Sequence, residues 1–221
     1  CNRTYSTSAA RLSRHERVED VDVWRFALPR LTRNSTSRVL IQYLTFSLQA
    51  ALRLPLFRTR AVLCITTPPL LFSLLGLICR ARRIPLVLWA MDLYPEVAVE
   101  TGLLRRNGLA NRFCRALAAF GYRQCAHIFT LGPAMTARVR DLAGASVGIG
   151  ELHNWASDSL RYVPPDENRF VAEHGLQGKF VVLYSGNIGA VHSFDALLAA
   201  AATLAVRNPD VLVIFIGAGP K

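Results

Sequence analysis

Lysine is nearly absent from this 221-residue chain: of 26 basic residues, 24 are arginine. Acids are also few, 15 Asp and Glu, and the formal net charge is +11. The five cysteines, Cys1, Cys64, Cys79, Cys114 and Cys125, are an odd number with no C-x-x-C pair. Most lie in apolar runs, which favours reduced, buried thiols over a disulfide framework. The five histidines are scattered, so a zinc site built from clustered Cys and His is not expected, nor is any other metal or cofactor. Residues 1–30 show no apolar h-region of a signal peptide. No period of roughly 20 to 50 residues recurs, which argues against repeat architectures. Hydrophobic residues at 52% and charged residues at 19% exclude a disordered or low-complexity chain.

The longest charge-free run is not expected to cross a membrane. Ala61 to Cys79 is a charge-free run of 19 residues between Arg58/Arg60 and Arg80/Arg82/Arg83. Length alone would permit a crossing. Thr66-Thr67-Pro68-Pro69 interrupts it, because two adjacent prolines remove two backbone donors and impose an extended entry. A buried parallel strand, a turn and a buried helix are expected instead.

What is present is a lopsided charge. Residues 1–165 hold 22 basic and 10 acidic residues; residues 166–221 hold 4 and 5. Residues 25–140 set 17 Arg against Asp92, Glu96 and Glu100. Such a cationic body attracts nucleic acid, anionic lipid or phosphorylated substrates. Interspersed aliphatic helices and the absence of a recognition motif argue against nucleic acid.

At roughly 150 residues per domain, the length corresponds to about one and a half domains. Strand-like Val21–Phe26 precedes a helix over Ser37–Leu54 with Leu40, Leu44, Leu48, Ala51 and Leu52 on one face. Strands at Ala61–Ile65, Pro85–Ala90, Ala126–Leu131 and Val147–Leu152 then alternate with helices at Leu70–Arg82, Leu109–Cys125 and Pro133–Leu142. Residues 156–168 have linker composition. Beyond them come a short helix at Asn168–His174, a strand at Phe180–Tyr184, a helix at His192–Val206 and a strand at Val211–Ile216. Alternation of this kind implies parallel sheets covered by helices. The expected organisation is a first Rossmann-like domain over 1–155, a linker over 156–168 and the start of a second over 169–221. Both read as truncated, the first lacking a strand and a glycine-rich loop. The start at Cys1 rather than Met agrees with a piece of a longer chain.

Ligands of open parallel sheets bind beyond the carboxyl ends of strands. Four segments fall there. In Trp89-Ala90-Met91-Asp92-Leu93-Tyr94-Pro95-Glu96, Asp92 is either a turn aspartate or a polar group facing a sugar or phosphate. Glu96 stands where a helix dipole favours an acid. His153-Asn154-Trp155 leads into the linker, with Trp155 available to pack between domains or to stack on a ligand. Tyr184-Ser185-Gly186-Asn187-Ile188-Gly189 precedes a helix, where glycines and free amides suit phosphate oxygens or merely a tight turn. Gly217-Ala218-Gly219-Pro220-Lys221 follows the last strand.

Taken together, these segments resemble the retaining family-4 glycosyltransferases of GT-B fold, in particular the bacterial subgroup that builds O-antigen, capsule and colanic-acid-type polysaccharides. The residues that carry the resemblance are Trp89, Asp92–Glu96, Asn154-Trp155, Tyr184–Gly189 and Gly217–Gly219, with Thr66-Thr67-Pro68-Pro69 as a small-Pro-Pro loop. The resemblance implies an α/β GT-B-like chain of two Rossmann-like domains. It implies transfer of a hexosyl, N-acetylhexosaminyl or 6-deoxyhexosaminyl group from a nucleotide-sugar, with retention. Donor binding would fall to Gly186, Asn187, Gly189, His192, Gly217, Gly219 and Lys221. The acceptor side would comprise Thr67, Pro68, Asp92 and Asn154, and the acceptor would be a lipid-linked saccharide. Asp92 and Glu96 are cleft candidates for catalysis, with Asp92, Asn187 and Gly217 facing one cleft. The implied location is cytoplasmic and peripheral at the inner membrane face, where the cationic first half meets anionic lipid through Arg80–Arg83 or Arg105-Arg106.

The sequence departs from that family at Asn187 and His192, where many relatives carry the Arg and Lys that bind the diphosphate. His192 is cationic only at lower pH or beside a phosphate. Met91 stands where many relatives place a histidine. The paired donor-gripping glutamates would lie beyond Lys221, so residues 1–221 alone are expected to be inactive. Two alternatives remain: a nucleotide-sugar 2-epimerase of the same fold, or a non-catalytic module binding membranes or sugar nucleotides.

Overall fold

The structure is a computed structural model that describes residues 13–29, 36–156, 160–189 and 193–219. It comprises two compact units, residues 1–154 and 155–221. Cys1, His192, Pro220 and Lys221 lie outside the described residues.

The first unit opens with an antiparallel hairpin, β1 (His15–Val18) and β2 (Val21–Trp24). Glu19 and Asp20 form its turn at φ 46° and 65°, the left-handed pair that a two-residue hairpin turn of this hand needs. An Arg25–Glu16 ion pair closes the base of the hairpin, and His15 stacks on Trp24 at 4.1 Å. The second strand is shorter than expected and belongs to this hairpin, not to the parallel sheet.

Next come α1 (Thr36–Arg53) and a single 3-10 turn at Leu54–Leu56. The alternating part follows as β3 (Val62–Ile65), α2 (Leu71–Ala81), β4 (Leu86–Trp89), α3 (Glu96–Glu100), α4 (Leu109–Gln124), β5 (His127–Thr130), α5 (Pro133–Ala143) and β6 (Gly148–Glu151). The four strands β3 to β6 form one parallel sheet in sequence order. Helices α2, α4 and α5 pack side by side and supply the crossovers. This is the Rossmann-like α/β arrangement expected from the alternation.

The core lies between that sheet and those helices. Cys64, Leu86, Leu88 and Ile128 point into it from the strands, and Phe72, Leu75, Cys79, Ala118, Tyr122 and Val139 from the helices. Phe72 stacks on Tyr122 at 4.9 Å, and Ser73 Oγ donates to the Leu117 carbonyl at 3.0 Å, tying α2 to α4. Leu86, Leu88 and Ile128 are at 1% exposure or less on the helix-covered face, while their strand neighbours on the other face are half-buried, so burial alternates along β4 and β5 although the residues of β4 are apolar throughout. The charge-free run Ala61–Cys79 splits at Thr66–Pro69 into β3 and α2, as expected, but only α2 is largely buried: in β3 Cys64 faces the core while Leu63 and Ile65 are exposed, because the helices described in this unit cover one face of the sheet.

Helix α1 corrects the sequence reading. Its expected apolar face is not the one that packs: Leu40, Leu44, Leu48 and Leu52 are exposed, and only Ala51 of that set is buried. Phe46, Ala50 and, just beyond the helix, Leu54 pack against the core. Phe26 meets Phe46 at 5.2 Å, and Gln49 Nε2 donates to the Ala27 carbonyl at 2.9 Å.

The second unit holds α6 (Arg169–Glu173), β7 (Phe180–Ser185), α7 (Asp195–Arg207) and β8 (Val211–Ile216). Asn168 caps α6 by accepting from the Phe170 amide at 3.0 Å. β7 and β8 pair in parallel from Phe180/Val211 to Ser185/Ile216. Tyr184, Phe194 and Phe215 meet one another with ring centroids 4.9 to 6.0 Å apart. Helix α7 begins at Asp195, later than the expected start at His192.

Candidate functional site

In the first unit the loops beyond the carboxyl ends of the strands are bonded to one another. Thr66 ends the apolar run of β3 with a buried side chain. Its Oγ1 accepts from the amides of Met91 at 3.2 Å and Asp92 at 3.1 Å. The Ala90 amide donates to the Phe129 carbonyl at 2.7 Å, and Trp89 Nε1 to the Leu152 carbonyl at 3.3 Å. The Leu152 amide reaches the Thr130 carbonyl at 2.8 Å, and His153 Nδ1 donates to the Leu131 carbonyl at 2.8 Å. Thr130 and Thr136 hydroxyls lie 2.6 Å apart, and Thr136 Oγ1 donates to Glu151 Oε1 at 3.2 Å.

The expected acceptor-side residues therefore sit on a braced edge. Thr66 joins the Thr67-Pro68 turn to Asp92, with Pro68 buried and Thr67 and Asp92 exposed. Asn154, exposed, follows the loop pinned by His153. Sequence reasoning singled out Thr67 and Pro68 but missed that Thr66 is the residue making the bond. A hydroxyl at the end of an otherwise apolar strand was the available signal.

The two candidate carboxylates have different surroundings. Asp92 makes no ion pair among the described residues, whereas Glu96 Oε1 lies 3.2 Å from Arg115 Nη1. Glu96 opens α3 and lines a cavity of about 530 Å³ with Glu100, Arg106, Asn111, Arg115 and Arg138. Asp92 is not part of that lining. Burial, and after it the negative charge of Asp92, raises the Tyr94 hydroxyl above its usual pKa, so it keeps its proton at neutral pH.

Burial pushes the Cys64 and Cys125 thiols up to about 12, and Cys79 and Cys114 also upward. None of these offers a thiolate for nucleophilic attack at neutral pH. Among the described residues no group of three His, Cys, Asp or Glu side chains is placed to hold a metal ion.

In the second unit the two glycine-containing segments lie side by side and continue the β7–β8 pairing. The Gly186 amide donates to the Ile216 carbonyl at 2.9 Å, and the Ile188 amide to the Ala218 carbonyl at 3.0 Å. Tyr184 Oη donates to the Asn187 carbonyl at 2.9 Å. A Cβ on Gly217 would stand 1.9 Å from the Gly186 carbonyl oxygen, and one on Gly219 1.8 Å from that of Ile188. Close backbone approach therefore requires both glycines, whatever else the loop binds. Around Gly186 the nearest atoms to such a Cβ belong to the Tyr184 ring end, at 3.8 Å, so that position is open. Helix α7 carries its own acid, Asp195, in the first turn, where Ser193 Oγ donates to it at 2.9 Å. That carboxylate already satisfies part of the helix's positive end.

No family model matches the chain. The chain is similar to a protein of Pseudomonas aeruginosa named probable glycosyltransferase WbjE, with 29% identity over 202 residues. The match covers 90% of this chain and 50% of that protein, so the chain spans about half the length of the relative it matches.

Proposed function

We propose that the protein is a glycosyltransferase that moves a sugar from a nucleotide-sugar to a saccharide acceptor. The observation that carries this reading is the 202-residue likeness, which is too long to fit within either unit alone. The α/β architecture supports it, because phosphate-bearing ligands of such sheets bind beyond the strand ends.

The donor is assigned to the second unit. The exposed Gly186-Asn187 turn and Gly189 present backbone and amide groups to the diphosphate, while Gly217 and Gly219 keep the neighbouring strand end close. His192 and Lys221 are further donor candidates, outside the described residues. The acceptor is assigned to the first unit, at Thr67, Pro68, Asp92 and Asn154. Asp92 is favoured over Glu96 for a role at the reacting hydroxyl, because Arg115 already holds Glu96.

In the reaction the bond between the anomeric carbon and the diphosphate oxygen breaks, with its electron pair leaving on the diphosphate. The acceptor oxygen bonds to that carbon from the same face and passes its proton to the departing diphosphate oxygen, which yields retention. We assign the enzyme to the retaining GT-B type of family 4, acting on a lipid-linked saccharide in surface polysaccharide synthesis. Its place is the cytoplasmic face of an anionic membrane, attracted by the arginine-rich first unit.

The test gives the complete gene product labelled nucleotide-sugars with and without a polyprenyl-diphosphate saccharide. Label moving to the acceptor is the expected result. Isomerisation of the nucleotide-sugar without an acceptor would favour the 2-epimerase, and neither reaction with any donor would overturn the catalytic reading.

A further inference from the structure

The outward side of α1 has no use in the site described above. The helix carries two apolar stripes on roughly opposite faces, at the i, i+3 and i+4 spacings of one helical side. The inner stripe, Phe46, Ala50 and Leu54, is seated on the core. The outer stripe, Leu40, Leu44, Leu48 and Leu52, is 53 to 69% exposed, and Leu56 extends it at 79%. From Leu40 to Leu56 such a ridge is about 24 Å long at about 1.5 Å per residue.

The sequence around this ridge is rich in cations, although the β1–β2 hairpin, which carries Glu16, Glu19, Asp20 and Asp22, meets Phe57 through Trp24 at 5.6 Å. Residues 23–91 contain ten arginines and not one Asp or Glu. Several of these arginines are fixed at the carboxyl end of the stripe. Arg82 Nη1 donates to the carbonyls of Leu54 at 3.0 Å and Phe57 at 3.2 Å, which brings the Arg82-Arg83 turn against the end of α1. Arg53 lies in the last turn of α1, its guanidinium 4.9 Å from the centre of the Phe26 ring. Arg58 and Arg60, both exposed, follow within a few residues.

By length and composition Ser37–Leu56 is apolar enough to cross a membrane. Its inner face is already engaged, however. Besides the core contacts, Gln42 Nε2 donates to the Pro29 carbonyl at 3.2 Å and Gln49 Nε2 to that of Ala27 at 2.9 Å. Only the outer half is available to another phase.

We infer that α1 lies in the plane of an anionic bilayer, with Leu44, Leu48 and Leu52 sunk below the headgroups and Arg58, Arg60 and Arg83 on lipid phosphates. This rests on the membrane-peripheral reading above and names the element that inserts. An apolar ridge flanked by cations is the pattern of interfacial helices. A second copy of the chain is the weaker occupant, because it would bring a second set of the ten arginines of residues 23–91 against the first, with only the four acids of the β1–β2 hairpin nearby.

The test is co-sedimentation of the whole chain with vesicles of phosphatidylglycerol and phosphatidylethanolamine, or of phosphatidylcholine alone. Three proteins are compared: the unaltered chain, the triple variant Leu44→Ser/Leu48→Ser/Leu52→Ser, and Arg58→Glu/Arg60→Glu. All the substituted side chains are exposed, and a thermal melt checks folding. The unaltered chain is expected to prefer the anionic vesicles, and each variant to lose at least about tenfold in affinity. A Leu48→Trp variant is expected to be quenched by lipids brominated on the acyl chain. If the unaltered chain ignores anionic vesicles, the peripheral reading and this inference fall together. If it binds them and the triple leucine variant binds equally, the inference alone is overturned. Loss of a dimer in that variant with vesicle binding unchanged would assign the ridge to a second copy and overturn it too.

Discussion

Thr66 holds the backbone of Asp92: its hydroxyl oxygen accepts the Asp92 amide at 3.1 Å across a separation of 26 residues. It accepts the Met91 amide as well, so one buried side chain sets the position of the whole turn after β4. Thr66→Val keeps the shape and removes the acceptor, leaving two amides to find other partners. The expected cost is about 1 to 3 kcal/mol in urea unfolding. Thr66→Ser, which keeps the oxygen and loses a methyl group, should cost only about 1 kcal/mol. Equal losses in the two variants would show that packing, not the hydrogen bond, matters at this position.

The two loops of the second unit separate stability from binding. Gly217→Ala forces a methyl group onto the Gly186 carbonyl oxygen and should destabilise this unit by about 1 to 3 kcal/mol. Gly186→Ala meets nothing closer than 3.8 Å and should leave the melting temperature nearly unchanged. Differential scanning calorimetry of the two variants checks this ordering.

Stability should fall on the alkaline side. The thiols of Cys64 and Cys125 ionise near 9.0 when unfolded but are pushed up to about 12 by burial in the fold. Between those values the unfolded chain has lost protons that the native chain retains. The contribution is therefore complete below pH 9 and is lost progressively as pH rises towards 12. Raised values at Tyr94 and Tyr122 act in the same direction at still higher pH. Urea midpoints measured at about pH 8 and about pH 10.5 should show the decline, and Cys64→Ala should make it shallower. A midpoint that rose with pH would contradict the burial assigned to these thiols.

Much of the parallel sheet was legible because buried strands are apolar at every position, as in Leu86–Trp89. The hairpin strand His15–Val18 was not, because His-Glu-Arg-Val offers no alternation and pairs only through a tight turn. Helix α1 misled because leucines surround it. The i+4 row looked like the core face, while a larger aromatic, Phe46, with Ala50 and Leu54, fills the space over the core. Thr66 could not be read as a brace from its own neighbours, since its partners belong to another loop. For Gly217 and Gly219 the sequence suggested a phosphate loop, yet the first demand on them is a carbonyl of the adjacent backbone. The start of α7 was placed too early because nothing in the apolar pattern marks Asp195 as its first residue.

The central claim, a nucleotide-sugar held by the loop at Gly186, is tested most directly by amide hydrogen exchange on the complete gene product. It is titrated with uridine, guanosine, thymidine, adenosine and cytidine diphosphate-sugars. At least one should bind saturably and slow exchange at the amides of Asn187 and Gly189, with Gly186→Ala weakening it and leaving the fold intact. Saturable binding that protects amides elsewhere and leaves this loop unchanged, or no binding by any of the five, would contradict the account.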